Sequence, residues 1–203
     1  WACMPSKALL RPGEALAVAR RVPSIRDAVT GGIDVEKVLS SRNAFASNWD
    51  DSGQEQWLAS VNAELIRGHG KITGEKAVTA FEKDGTVREL VARKAVVVAT
   101  GSTSFIPPID GLDGAAAWDS RKIVTSPTVP ERLLILGGGV VGIEMAQAWN
   151  SLGSDVTVIE MQDGLLPMEE PAAGELVTKA FEEKGIKVLT GKPVTAVRRD
   201  GAE

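Results

Sequence analysis

A single cysteine, Cys3, stands among the 203 residues, so no disulfide can form within the chain. That scarcity favours a reducing compartment, and the cytoplasm is the expected location. Positive charge is not in excess either. The 27 acidic residues against 23 basic ones leave a formal charge of −4, which argues against nucleic acid or an anionic membrane as the main partner. No apolar run approaches the ~18 residues needed to span a bilayer. Histidine occurs once, at His69, and no metal site is expected. Internal repeats and low-complexity tracts are missing. So is an initial methionine, and the sequence stops soon after a strand-like run, so an internal piece of a longer chain is expected.

What is present is enough for a buried core, because a hydrophobic fraction of 43% is ordinary for a globular protein. Pro5 suits a first helical turn, and Pro12-Gly13 is expected to kink or restart that helix before "EALAVARRV". Asp34 reads as an N-cap. Val35, Val38, Leu39, Arg42, Phe45, Ala46 and Trp49 then follow a 3.6-residue period with one polar interruption. A second helix carries Trp57, Leu58, Val61 and Leu65 and should end at Gly68. "AVTAFE" and "TVRELV" around "KDG" read as a hairpin with an Asp-Gly turn. Ala95 to Ala99 is a continuous apolar run closed by a glycine turn, the pattern of a strand buried on both faces. "FIPPIDGLDG" is a linker and a plausible boundary. Beyond it "RLLIL", "SDVTVIE", "IKVLTG" and "VTAVRR" read as strands. Helices lie between them, one carrying Ala173, Leu176, Val177, Ala180 and Phe181. That alternation predicts a parallel sheet in a doubly wound α/β unit.

Gly137, Gly139 and Gly142 spell G-x-G-x-x-G, a weak signal alone in a chain with 21 glycines. Here it sits between an apolar strand and a helix whose Val141, Met145, Ala148 and Leu152 share one face. The first glycine permits a tight turn, and the second lets the backbone approach a pyrophosphate. The third lets the helix pack on the strand, while the helix start supplies N–H groups. The expected dinucleotide contacts run through the loop and first helical turn: Gly137, Gly138, Gly139, Val140, Val141, Gly142 and Ile143. Glu160 ends the next strand, at the spacing of an acid that binds an adenosine ribose. A carboxylate there repels a 2′-phosphate, and no arginine lies between Glu160 and Glu170, so NAD is favoured over NADP.

With "ACMPSKALL", "VVVATGS" and "ILGGGVVGIEMA" in this order, the chain resembles the flavoprotein disulfide reductases over essentially its whole length. The resemblance implies an α/β, three-layer architecture of two Rossmann-like domains. One is a partial FAD domain with an antiparallel β-meander, over residues 1–115, and the other an NAD domain over 116–203. It implies FAD and NAD as cofactors, and Cys3 as the flavin-facing member of a redox pair whose other cysteine falls upstream of Trp1. Met4 replaces the usual isoleucine. Lys7 corresponds to a lysine near the flavin that pairs with a glutamate, here Glu144. Thr100, Gly101 and Ser102 match a flavin-adenine contact, although "ATGS" alone would read as a plain strand-ending turn. Gly70 matches a glycine near the adenine. His69 does not match the family's catalytic histidine and reads as structural or exposed. NADPH-using members carry arginines where Met161 and Pro167 stand here, in line with the charge at Glu160.

The expected reaction passes electrons between NAD(H), FAD and a redox disulfide that includes Cys3, with a small disulfide or dithiol as the other substrate. Within the family Glu160 favours an activity of the dihydrolipoamide-dehydrogenase type, and a mercuric-reductase type shares the same core. A homodimer is implied for the full-length protein. The alternative from another class is a non-enzymatic dinucleotide-binding or redox-sensing module.

Overall fold

A computed structural model describes residues 3–200. The chain begins with α1 (Met4–Arg21), α2 (Pro23–Arg26) and α3 (Val35–Phe45). Next come α4 (Ser52–Ser60), β1 (Gly68–Gly74), β2 (Ala77–Glu82) and β3 (Val87–Val91). The remainder holds α5 (Ser120–Thr125), β4 (Arg132–Leu136), α6 (Val140–Ser151), β5 (Asp155–Ile159), α7 (Pro171–Glu183) and β6 (Lys187–Leu189). These elements fall into two compact units. One joins the residues up to Trp49 with those from Ser104 onward, and the other is Asp50–Thr103. Compactness thus groups the first helices with the C-terminal segment, whereas the expected division between flavin and nucleotide regions falls at residue 115.

In the larger unit β4, β5 and β6 form a parallel sheet in that order, with α6 and α7 as the connections. This is a βαβαβ wing. Alternation along the strands turns Ile135, Val156 and Val158 into the core, where each is at most 8% exposed. Leu134 points the other way and is 68% exposed, so this sheet face is covered on one side only. Met145, Ala146, Ala148, Trp149 and Leu152 are the buried residues of α6 and its end. Val141, expected on the same stripe, is exposed, because the buried face begins one turn later.

Pro12 does not break the first helix. It lies inside a continuous α1, although its ring removes one backbone donor. The reason is tertiary. A Cβ at Gly13 would lie 2.6 Å from Ser151 Cβ, so the small residue after Pro12 is what lets α1 lie against α6. Packing supplies what the proline takes away. Leu9 of α1 is fully buried in the same core as Trp149.

Asp34 caps α3 as expected, its carboxylate accepting the Lys37 N–H at 3.1 Å. Arg42, the polar interruption on that helix, is 1% exposed. Its guanidinium donates to the Ser126 carbonyl at 2.7 Å and to Asn43 Oδ1 at 2.9 and 3.1 Å. It also lies 5.8 Å from the Trp49 ring centre. Phe45 is exposed, and the helix ends there because Ser47, Asn48 and Trp49 all adopt positive φ.

The smaller unit is a three-stranded antiparallel meander, β1-β2-β3, preceded by α4. The Asp-Gly turn joins β2 and β3, with Gly85 at φ +89°. Two expectations fail here. First, α4 stops at Ser60 rather than running to Gly68, because Asn62 takes φ +56°. Second, residues 95–99 form no strand: Val97 is 85% and Val98 65% exposed, and among the described residues no ladder pairs with them. A strand exists only where another strand accepts its backbone groups, and an apolar run cannot supply that alone. The same holds for "VTAVRR" in the larger unit. There a single bridge from Ala196 to Asp110 replaces the expected strand.

Candidate dinucleotide site

The site is built at the C-terminal end of β4. Gly137 takes φ +107°, a conformation open to glycine at little cost, and its N–H donates to the Ile159 carbonyl at 2.8 Å. The loop therefore starts by bonding back to the end of β5. A Cβ on Gly142 would lie 2.1 Å from the Gly137 carbonyl oxygen, so the third glycine of the motif is sterically required. Gly139 caps α6, and the Ile143 N–H reaches its carbonyl at 3.0 Å. No atom lies within 4 Å of where its Cβ would be. Open space beside the middle glycine, at the start of a 12-residue helix, fits a pyrophosphate that needs backbone contact. Val140 and Val141 are exposed beside it.

Glu160 sits 6% exposed at the end of β5. One carboxylate oxygen accepts the Gly138 N–H at 2.6 Å and the other the Gln162 N–H at 2.7 Å. A carboxylate has about four acceptor positions, so two are left beyond these bonds. The sequence pattern points to a ribose ligand but not to this second task of holding the loop. Beyond Glu160, Met161 and Pro167 are exposed and carry no positive charge.

Gly138, in the variable position of the motif, is closely surrounded by side chains, although less rigidly than Gly142, which meets backbone. A Cβ there would lie 2.5 Å from Leu165 Cδ2 and 3.3 Å from Glu160 Oε2. The signal that could have found this is the third consecutive glycine, where the motif needs only two.

Cys3 immediately precedes α1, and its thiol is exposed. The Lys7 ammonium lies 3.6 Å from Cys3 Sγ and 3.5 Å from the Cys3 carbonyl. Lys7 therefore leans on the thiol, and no ion pair joins it to Glu144, which is half-buried on α6. In the smaller unit Gly70 lies in β1 opposite Ala80. His69 beside it is exposed. Thr100, Gly101 and Ser102 lie in an exposed irregular segment, with Gly101 at φ +67°. Among the described residues no group of acidic, histidine or cysteine side chains is placed to hold a metal. No helix among them is long and apolar enough to cross a membrane.

Comparison with known proteins agrees with this geometry. The family profile described as pyridine nucleotide-disulphide oxidoreductase matches residues 1–203. A mercuric reductase from Bacillus cereus is 32% identical over 200 residues, which are 98% of this chain and 31% of that enzyme. A dihydrolipoyl dehydrogenase from Chlorobaculum tepidum is 34% identical over 194 residues, 94% of this chain and 40% of that enzyme. The crystal structure of LpdA from Mycobacterium tuberculosis superposes with a TM-score of 0.76 at 26% identity, covering 99% of this chain and 44% of LpdA. The chain spans between 31% and 41% of the length of the curated relatives it matches.

Proposed function

The chain belongs to the pyridine nucleotide-disulphide oxidoreductase family, and on that premise we propose that it carries the NAD-binding loop and the flavin-facing thiol of a disulfide oxidoreductase. The observation that supports this most is the cradle at the start of α6. Gly137 turns, Gly139 leaves its flank open, Gly142 packs on Gly137, and Glu160 waits at the end of the next strand. The residues present fit a dinucleotide. The Gly137, Gly138 and Ile143 N–H groups are bonded within the protein, so the pyrophosphate is bound by the backbone N–H groups of Gly139, Val140, Val141 and Gly142 at the start of α6, and Glu160 orients the adenosine ribose with its remaining acceptor positions. The carboxylate, with no cation on the loop after it, favours NAD over NADP.

FAD is the second cofactor of this reading. When bound, it supplies a two-electron relay between the nicotinamide and thiol chemistry. Gly70, Thr100, Gly101 and Ser102 hold it by resemblance to the family, in a flavin region that runs to residue 115. Cys3 presents its thiol from the start of α1, and Lys7 places a positive charge beside that thiol. Glu144 is the family's partner for this lysine. A cytoplasmic homodimer acting on a small disulfide or dithiol completes the reading.

The activity we favour is of the dihydrolipoyl-dehydrogenase type, because Glu160 selects the nucleotide that this type uses. A mercuric-reductase activity is the second reading, favoured by relatives of that name at similar identity. The test is NADH-dependent turnover of lipoamide by the full-length protein, set beside oxidised glutathione and Hg(II). Lipoamide turnover well above the other two supports the first reading. Efficient Hg(II) reduction replaces it with the second, and no turnover in a protein that lacks flavin colour leaves a non-enzymatic module.

A further inference from the structure

The glycine loop is gripped from behind by a segment that no motif describes. The Gly138 N–H donates to Glu160, and the Gly138 carbonyl accepts the Leu166 N–H at 2.9 Å. Both backbone groups of one loop residue are thus bonded to the connection between β5 and α7. Leu165 fills the space between these bonds. It is 3% exposed, and its Cδ2 lies so close that a Cβ at Gly138 would approach it to 2.5 Å. On its other side stands Gly174 of α7, where a Cβ would lie 2.2 Å from the Leu165 carbonyl oxygen. Gly174 is therefore required by the Leu165 backbone, and the end of the Leu165 side chain occupies the space beside Gly138. Leu166 is held at φ +53°, a conformation that a branched side chain adopts only when its surroundings impose it.

We propose that the Leu165–Leu166 corner is the positioning element of the dinucleotide loop, and that Gly174 sets where this corner sits. This rests on the dinucleotide reading above and deepens it. The corner acts as a spacer of fixed thickness between α7 and Gly138. A change in that thickness moves the Gly138 peptide and, through it, the open flank of Gly139. Nucleotide affinity then depends on Leu165 and Gly174 chiefly through the pyrophosphate, and much less through the adenosine end, because Glu160 is also anchored by the Gln162 N–H at the end of β5. Protein interiors transmit such shifts because they are close-packed.

The test compares ADP-ribose, which contains the pyrophosphate, with adenosine, which lacks it. Equilibrium binding is measured for the wild type and for Leu165→Ala, Leu165→Met and Gly174→Ala. Amide hydrogen exchange at Gly138 and Leu166 is followed in parallel. Leu165→Ala is expected to weaken ADP-ribose binding by about tenfold, the scale on which sub-ångström misplacement of a site is felt, with adenosine nearly unchanged and faster exchange at Gly138. Leu165→Met keeps the volume and should stay close to wild type. Should Leu165→Ala and Gly174→Ala fail to fold, the milder Leu165→Val, measured in the same way, decides, with a smaller but equally selective loss expected. Folded variants that bind ADP-ribose as the wild type does, or that lose both ligands equally, overturn the proposal. Wild-type protein that binds neither ligand overturns the dinucleotide reading and this inference with it.

Discussion

The Glu160 carboxylate holds the Gly138 N–H at 2.6 Å, so the acid that ends β5 and the loop that follows β4 are one mechanical unit. Glu160→Ala removes the acceptor from a buried N–H and should lower the unfolding free energy by about 2 kcal/mol in denaturant titration. It should also weaken NADH binding without creating a preference for NADPH, because no cation replaces the lost carboxylate. A variant that gains tight NADPH binding would show that charge at this position acts alone.

Gly139 and Gly142 separate binding from folding. Gly142→Ala places a Cβ against the Gly137 carbonyl oxygen and should destabilise the loop and the protein together. Gly139→Ala meets nothing in the protein. It should melt at the wild-type temperature and yet lose dinucleotide binding, because the methyl occupies the flank a pyrophosphate needs. Thermal melts and NADH titration of both variants check this contrast.

Arg42 is a buried cation bonded to the Ser126 carbonyl, and burial pulls its pKa below the ordinary guanidinium value. Arg42→Ala should cost about 3 kcal/mol, from the lost charge-assisted bond and the space left behind. Arg42→Met fills most of that space and removes the buried charge, so it should cost less. Urea unfolding of the two variants gives the comparison.

Asp34 gives the acid side of the stability profile a definite sign. Its carboxyl is held below the usual range, first by the Lys37 backbone N–H and then by the Lys37 side chain. The stabilisation is complete above the unfolded-state pKa of about 3.9 and is lost as pH falls through the lower folded-state value. Asp34→Asn retains the cap but not the charge. Its difference from wild type should be full and constant above about pH 4 and shrink as pH falls below it. Parallel denaturation curves at pH 3 and pH 7, with equal differences at both, would contradict this.

The parts of this molecule that were legible in the sequence are those with local causes. The Asp34 cap, the Asp-Gly turn at Gly85, and the strand-loop-helix around Gly137 each rest on neighbouring residues. The misreadings have distant causes. Pro12-Gly13 has the local composition of a helix break, and what keeps the helix continuous is Ser151, distant in sequence, against Gly13. The run at 95–99 looked like a strand because its composition is apolar, but composition does not supply a pairing partner. Arg42 looked like an interruption, and its reason lies 84 positions away at Ser126. In the candidate site the signature glycines and Glu160 were readable from spacing. Leu165 and Gly174 are not, because nothing in their spacing reports that Leu165 lies against Gly138 or Gly174 against the Leu165 backbone.

The most direct test of the central claim is a titration of the protein with NADH and NADPH under identical salt and pH. NADH should bind saturably at one site, tighter than NADPH by about tenfold or more, since a carboxylate facing a phosphate costs upward of ~1 kcal/mol even when well screened. Equal or tighter NADPH binding, or no binding of either nucleotide, would contradict it.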